Sequence, residues 1–229
     1  MFSSGEEEFA PLFRDRRDAG RRMAERLSEF RERPDVLVLA LPRGGVPVAF
    51  ELARELKLPM DVFVVRKLGV PWQPELAMGA VASGGIRVLN QNLVHSLHVS
   101  EADVAEVTAR ELASVRERER LFRGERPAPQ IAGRTVLIVD DGLATGSSMR
   151  AAIAALQQQH PARIVVATPV GSATTCNELS QPGVTVTCMA TPEPFWAVGQ
   201  WYEDFSATTD EEVQELLAEA RRQEGPQAA

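Results

Sequence analysis

At 229 residues, with 44% apolar and 25% charged side chains, the chain is long enough to bury the core of one large domain and reads as an ordinary globular protein. A formal charge of −7 and a pI near 5.2 exclude a general nucleic-acid binder, which needs a basic face to displace counterions from phosphates. No segment approaches the roughly 20 apolar residues of a bilayer span, and the opening "MFSSGEEEFAPLF" carries acids where a signal peptide needs bases, so a cytoplasmic protein with neither nucleic-acid nor membrane partner is expected.

Residues 15–30 place Ala19, Met23, Leu27 and Phe30 at helical spacing among arginines and glutamates, an amphipathic helix that Pro34 ends. From Asp35, "DVLVLAL" is a short apolar run, the mark of a strand buried on both faces, and "LPRGG" leads from it into the helix "VPVAFELAREL". A second strand, "DVFVV", begins at Asp61, with Arg66 and Lys67 directly after it.

Residues 66–133 then interrupt the alternation as an insertion. Its first part, "RKLGVPWQPELAMGAVASGGIRVLN", reads as a loop plus a small antiparallel hairpin, and residues 101–121 as a strongly charged helix whose "RERER" run is a solvated face. An insertion beside a sheet edge serves as a lid, as a subunit contact in a homodimer, or as a solvated decoration, and these alternatives stay open.

The alternation resumes with "TVLIVD" from Thr135 and its helix "SMRAAIAALQQQ", then "RIVVAT" from Arg163 and "VTVTCMA" from Val184. The expected fold is α/β: a five-stranded parallel sheet flanked by helices, within a single domain over residues 1–229. Residues 189–206 include the aromatic stretch "PFWAVGQWYEDF"; Thr209 or Asp210 caps a last helix, and the tail "QEGPQAA" reads as disordered. Cys176 and Cys188 have neither metal-ligand spacing nor the density of a disulfide scaffold, so plain thiols in a reducing compartment are expected.

The chemistry concentrates in "VLIVDDGLATGSSM". In an open parallel sheet, ligands sit outside the carboxyl ends of the strands, where Asp140 and Asp141 project. Carboxylates there suit sugar hydroxyls or a cation, while Gly142 and the turn Ala144, Thr145, Gly146, Ser147, Ser148 suit a phosphate at a helix N-terminus. Together they point to a phosphorylated sugar. The plainer alternative is a turn whose acids merely cap a helix. Neither G-x-x-x-x-G-K-[ST] nor G-x-G-x-x-G occurs, so P-loop kinase and dinucleotide readings lose their main support.

"VLIVDDGLATGSS" resembles the phosphoribosyl-diphosphate motif of type I phosphoribosyltransferases. The resemblance implies that Asp140 and Asp141 hold the ribose hydroxyls and that residues 144–148 hold the 5-phosphate. "LPRGG" is similar to the family's pyrophosphate loop, in which Arg43, Gly44 and Gly45 would face the diphosphate and which carries a non-proline cis peptide in relatives. Lys67 and, less directly, Arg66 would add positive charge, and the segment after them would be the mobile loop.

Residues 189–206 fall where the family builds a hood, so Phe195, Trp196 or Trp201 would stack on a planar acceptor, with a core role as the alternative for each. "FRDRRDAG", "LPRGGVPVA", "RKLGVP", "DDGLATG" and "PFWAVGQWYEDF" resemble a little-characterised bacterial group of the family almost end to end. One departure is Ala144, where hypoxanthine-guanine enzymes carry an acid; Glu75 is the substitute acid–base group considered. The implied activity is Mg²⁺-dependent transfer of ribose 5-phosphate from phosphoribosyl diphosphate to a nitrogen acceptor, the ion held mainly by substrate with Asp140 or Asp141 as protein ligands. The alternative is a non-catalytic sensor that binds phosphoribosyl diphosphate or a nucleotide.

Overall fold

The computed structural model describes residues 10–224; the first nine residues lie outside the described residues, and of the tail "QEGPQAA" the first two residues, Gln223 and Glu224, belong to the last helix rather than to a disordered end while the rest lies outside the described residues. In chain order the elements are α1 (Arg16–Arg26), β1 (Val36–Ala40), α2 (Gly45–Leu56), β2 (Met60–Val62), β3 (Val65–Val70), β4 (Gln73–Ala82), β5 (Ile86–Leu89), α3 (Gln91–Ser96), α4 (Glu101–Arg123), β6 (Thr135–Val139), α5 (Ser147–Gln157), β7 (Arg163–Val170), α6 (Ala173–Leu179), β8 (Val184–Ala190) and α7 (Asp210–Glu224).

The five expected parallel strands form one sheet in the order β2-β1-β6-β7-β8. Side chains alternate across each strand, so Val36, Val38 and Ala40 of β1 pack toward α1, α2 and α7, while Leu37 and Leu39 pack toward α5 and α6. Both faces are covered by helices, and so β1 and β6 are buried at every position. Each buried Val, Leu or Ile side chain there stabilises the fold by about 1.5–3 kcal/mol relative to exposure.

The second strand ends sooner than expected, at Val62, because the chain turns out of the parallel sheet and Val65 begins another. The first part of the insertion is not a loop plus a hairpin but a three-stranded antiparallel sheet, β3-β4-β5, while the expected charged helix is α4. The glycines read as loop formers do two jobs in that sheet. Gly84 and Gly85 take positive φ at the turn into β5, and Gly69 and Gly79 sit against neighbouring backbone too closely for a side chain.

The cysteines are also corrected: Cys176 of α6 and Cys188 of β8 form a disulfide, so neither is a plain thiol. The last helix is capped as expected, Thr209 Oγ1 accepting from Glu212 N–H. Among the described residues no helix is long and apolar enough to cross a membrane.

The two ends of the described chain are laced together: Leu12 and Phe13 donate their N–H groups to the Trp201 carbonyl, and Glu203 N–H donates to that of Phe13.

Candidate active site at the tips of β1 and β6

Ala40 and Val139 are register partners at the ends of β1 and β6, and Leu41 N–H donates to the Val139 carbonyl at 2.9 Å. The chain segments that follow, residues 42–44 and 140–141, therefore leave the sheet side by side. The Pro42–Arg43 peptide is cis. A Cβ on Gly44 would stand 2.1 Å from Asp141 Oδ2, and one on Gly45 would stand 2.6 Å from the Val139 carbonyl oxygen. Both glycines are thus required by close approach: Gly45 lets α2 settle on the end of β6, and Gly44 lets the Arg43 loop touch the carboxylate of Asp141.

The two acids differ in their surroundings. Asp140 accepts the Asp141 N–H at 2.9 Å. Desolvation, and then the negative charge of Asp141, push its carboxyl well above the usual aspartate range, offset in part by that hydrogen bond and by Arg16. Asp141 is held from two distant places. Arg16 Nε donates to its Oδ2 at 2.8 Å, and the Tyr202 hydroxyl donates to its main-chain carbonyl at 2.6 Å. Arg16 is fixed in turn: Nη1 donates to the Ser206 carbonyl at 2.7 Å and the guanidinium lies 3.9 Å from the centre of the Phe205 ring. Burial, then the Asp141 charge, push the Tyr202 hydroxyl far up its scale, so it remains a donor.

Neither Arg16 nor Tyr202 was singled out from the sequence. Their only signal was membership in the stretches "FRDRRDAG" and "PFWAVGQWYEDF".

After the acids, Gly142 packs closely on Val198, which an added Cβ would meet at 2.3 Å. Ala144, Thr145 and Ser148 are exposed, Ser147 is half-buried, and the Thr145 and Ser147 hydroxyls lie 3.1 Å apart. Gly146 occupies the N-cap of α5 with φ +67°. Helices α1, α4 and α6 are closed by the side chains of Asp15, Ser100 and Ser172, whereas α5 has no side-chain cap and no acid in its first turn. That leaves the orphan N–H groups and the positive end of the α5 dipole suited to an external anion. The loop is seated on α6, since Thr175 Oγ1 donates to the Ala144 carbonyl at 2.7 Å.

The remaining predicted residues divide. Arg43 and Arg66 line one cavity of about 340 Å³, which Ser148 also borders. Lys67 lines the neighbouring cavity between β3 and α4, which Arg66 also borders. Glu75 is exposed near the tip of the β3–β4 hairpin. Trp196 is 77% exposed and Phe195 half-buried, but Trp201, at 4%, belongs to the core: it packs on Phe195 at 6.4 Å between ring centres and anchors the N-terminal segment. Trp201 is therefore not free to stack on an acceptor.

A parallel sheet whose central strand ends in two acids, followed by a glycine-capped anion turn and faced by a glycine loop bearing an arginine, defines the architecture of type I phosphoribosyltransferases. In keeping with this, residues 14–199 match the family described as the phosphoribosyl transferase domain, and the chain belongs to that family. Two curated proteins of Mycobacterium tuberculosis, from strains CDC 1551 / Oshkosh and ATCC 25618 / H37Rv and each named "Putative phosphoribosyl transferase", are 44% identical to it over 211 residues. That alignment takes in 92% of this chain and 47% of each relative, so the chain spans about half their length. Among solved structures, the crystal structure of TT1426 from Thermus thermophilus is 42% identical and superposes with a TM-score of 0.81, over 90% of this chain and 98% of that one.

Proposed function

We propose that the protein transfers ribose 5-phosphate from phosphoribosyl diphosphate to a planar nitrogen acceptor and releases diphosphate. The observation that carries this reading is the contact between Gly44 and Asp141, which sets an arginine-bearing loop against a sugar-suited carboxylate with the α5 anion turn directly after it. In the reaction the C1–O bond breaks with its electron pair leaving on diphosphate, the acceptor nitrogen forms the new C1–N bond, and the acceptor loses a proton.

Each group of residues then has one task. Asp141, oriented by Arg16 and Tyr202, accepts from ribose hydroxyls; Asp140, with its raised pKa, is suited to exchange hydrogen bonds with the same diol. The turn at residues 144–148 anchors the 5-phosphate, so the sugar is held at both ends while positive charge develops at C1. Arg43 and Arg66 oppose the charge that builds on the departing diphosphate. Trp196 and Phe195 offer apolar surface to the acceptor.

Magnesium fits as an ion carried on the diphosphate. Asp140 and Asp141 offer two adjacent carboxylates, and no group of three or more acid, histidine or cysteine side chains able to hold a metal occurs among the described residues. When bound, the ion would neutralise diphosphate oxygens.

The test is calorimetric titration of phosphoribosyl diphosphate, with and without Mg²⁺, on the wild type and Asp141→Asn. Binding strengthened by magnesium and weakened at least about 30-fold in the variant is expected, since a charged hydrogen-bond partner is lost. Equal affinity in the two proteins would remove the reading. Release of diphosphate across a panel of nitrogen bases then identifies the acceptor, and tight binding without any release would favour the sensor instead.

A further inference from the structure

Helix α4 has no place in the strand–helix alternation, yet it reaches the candidate site. Its Arg118 lines the same cavity as Arg43 and Arg66, with Phe63, Phe122 and Ser148 around them. Three arginines from three separate elements thus border about 340 Å³ beside the Arg43 loop.

Three acids answer them, one of which, Glu211 at the start of α7, interacts electrostatically with Arg43. Glu111 pairs with Arg66 at 3.2 Å, while Asp210, the first residue of α7, is shared: its Oδ1 lies 2.9 Å from Arg118 Nη1 and 3.6 Å from Arg43 Nη1. One carboxylate thus bridges two guanidinium groups, and a multivalent anion that took its place would be met by both.

The position of α4 is fixed at its C-terminal end, beside this cavity. Arg123, buried, donates to Asp61 Oδ2 at 2.9 Å, to Glu119 Oε1 at 3.1 Å and to the Val62 carbonyl at 3.2 Å, tying the end of α4 to β2. From α7, Gln214 donates to the Leu121 carbonyl and Arg221 to that of Phe122. Arg118, one turn earlier, is presented by a helix clamped on two sides.

We propose that Arg118 binds the diphosphate group together with Arg43, and that Asp210 is the internal counter-ion that this diphosphate displaces. The inference rests on the phosphoribosyltransferase reading and extends it by giving the inserted helix a ligand. It also gives Asp210 a role opposite to that of the arginines: the acid competes with the anion for the same two guanidinium groups.

The experiment is titration of inorganic diphosphate in the presence of Mg²⁺ against the wild type, Arg118→Gln, Arg118→Lys and Asp210→Asn, with a melting curve for each. Arg118→Gln should bind about tenfold more weakly, Arg118→Lys should recover part of that loss, and Asp210→Asn should bind about threefold more tightly, as expected for single charges near a partly exposed anion. A purely structural α4–α7 contact would instead move both Arg118→Gln and Asp210→Asn in the same direction, in melting and in affinity alike, and that outcome overturns the inference. So does unchanged affinity in Arg118→Gln while the wild type binds, an outcome that leaves the phosphoribosyltransferase reading standing. Absence of diphosphate binding by the wild type also overturns the inference; if phosphoribosyl diphosphate fails to bind as well, the broader reading falls with it.

Discussion

The two sides of the candidate site are charged in opposite senses. At the tip of β6, two aspartates share one arginine, Arg16; beside the β1 loop, Arg43 and Arg118 share one aspartate, Asp210. One side gathers carboxylates and the other gathers the guanidinium groups of Arg43, Arg66 and Arg118, and under the proposed function each would meet a different part of one ligand. Carboxylates suit a sugar diol, which offers donors and no charge, while guanidinium groups suit a diphosphate. A phosphoribosyl diphosphate laid across the site meets each half with the polarity it lacks.

The contact that joins the two sides offers the sharpest way to break this arrangement. Gly45→Ala would drive a Cβ into the Val139 carbonyl, backbone against backbone, and should destabilise the fold by about 2 kcal/mol, read as a lower melting temperature. Gly44→Ala meets only the Asp141 side chain, so its melting temperature should fall less while phosphoribosyl-diphosphate affinity drops about 100-fold through displacement of the carboxylate. If both variants melt alike and bind alike, the two glycines do not divide fold from site.

A second test removes the cation on the acidic side. Arg16→Met leaves two neighbouring carboxylates without their counter-charge and should cost about 2 kcal/mol at neutral pH, measured by denaturant unfolding. The cost should shrink as pH falls, because the Asp140 carboxyl, already raised above the usual aspartate range, takes up a proton and removes part of the uncompensated charge. A pH-independent loss would mean that Arg16 acts only through its packing on Phe205.

The smallest expected effect concerns Asp140, whose folded pKa is raised by desolvation and by Asp141. A raised pKa contributes stability that is fully present below the unfolded value of about 4 and is lost as pH climbs through the folded value. Asparagine has no such loss. The melting temperature of Asp140→Asn minus that of the wild type should therefore widen as pH rises from about 4, reaching about 2–4 °C. A gap that narrows over this range would contradict the raised pKa.

Much of the framework could be read from the chain because its signals are local. Apolar runs marked the strands, and "VLIVDDGLATGSS" keeps the acids, the turn and the helix start within thirteen consecutive residues. What escaped depends on residues far apart in sequence. Arg16 and Asp141 are separated by 125 positions, and in isolation the arginines of α1 look like a solvated helix face. Trp201 was ambiguous because an aromatic residue suits both a core and a stacking platform; only its burial decided between them. Cys176 and Cys188 gave no spacing signal, since their pairing depends on α6 packing back against β8. In the insertion, turn glycines and strand glycines look alike in the sequence, which hid the third strand.

The lacing of the N-terminal segment to residues 201–203 has a consequence for how the protein is made. A ribosome delivers the chain from its N-terminus, so every strand of the parallel sheet, the Arg43 loop and the α5 turn exist before residues 201–206 emerge. Arg16 is synthesised early but waits for Phe205 and Ser206 to fix its guanidinium, and Asp141 waits for Tyr202. A nascent chain halted after β8 would carry the whole sheet and both acids with their supports missing. Synthesis thus delivers the sheet strands and both acids before Tyr202, Phe205 and Ser206, which support them, and before α7, which covers one face of the sheet.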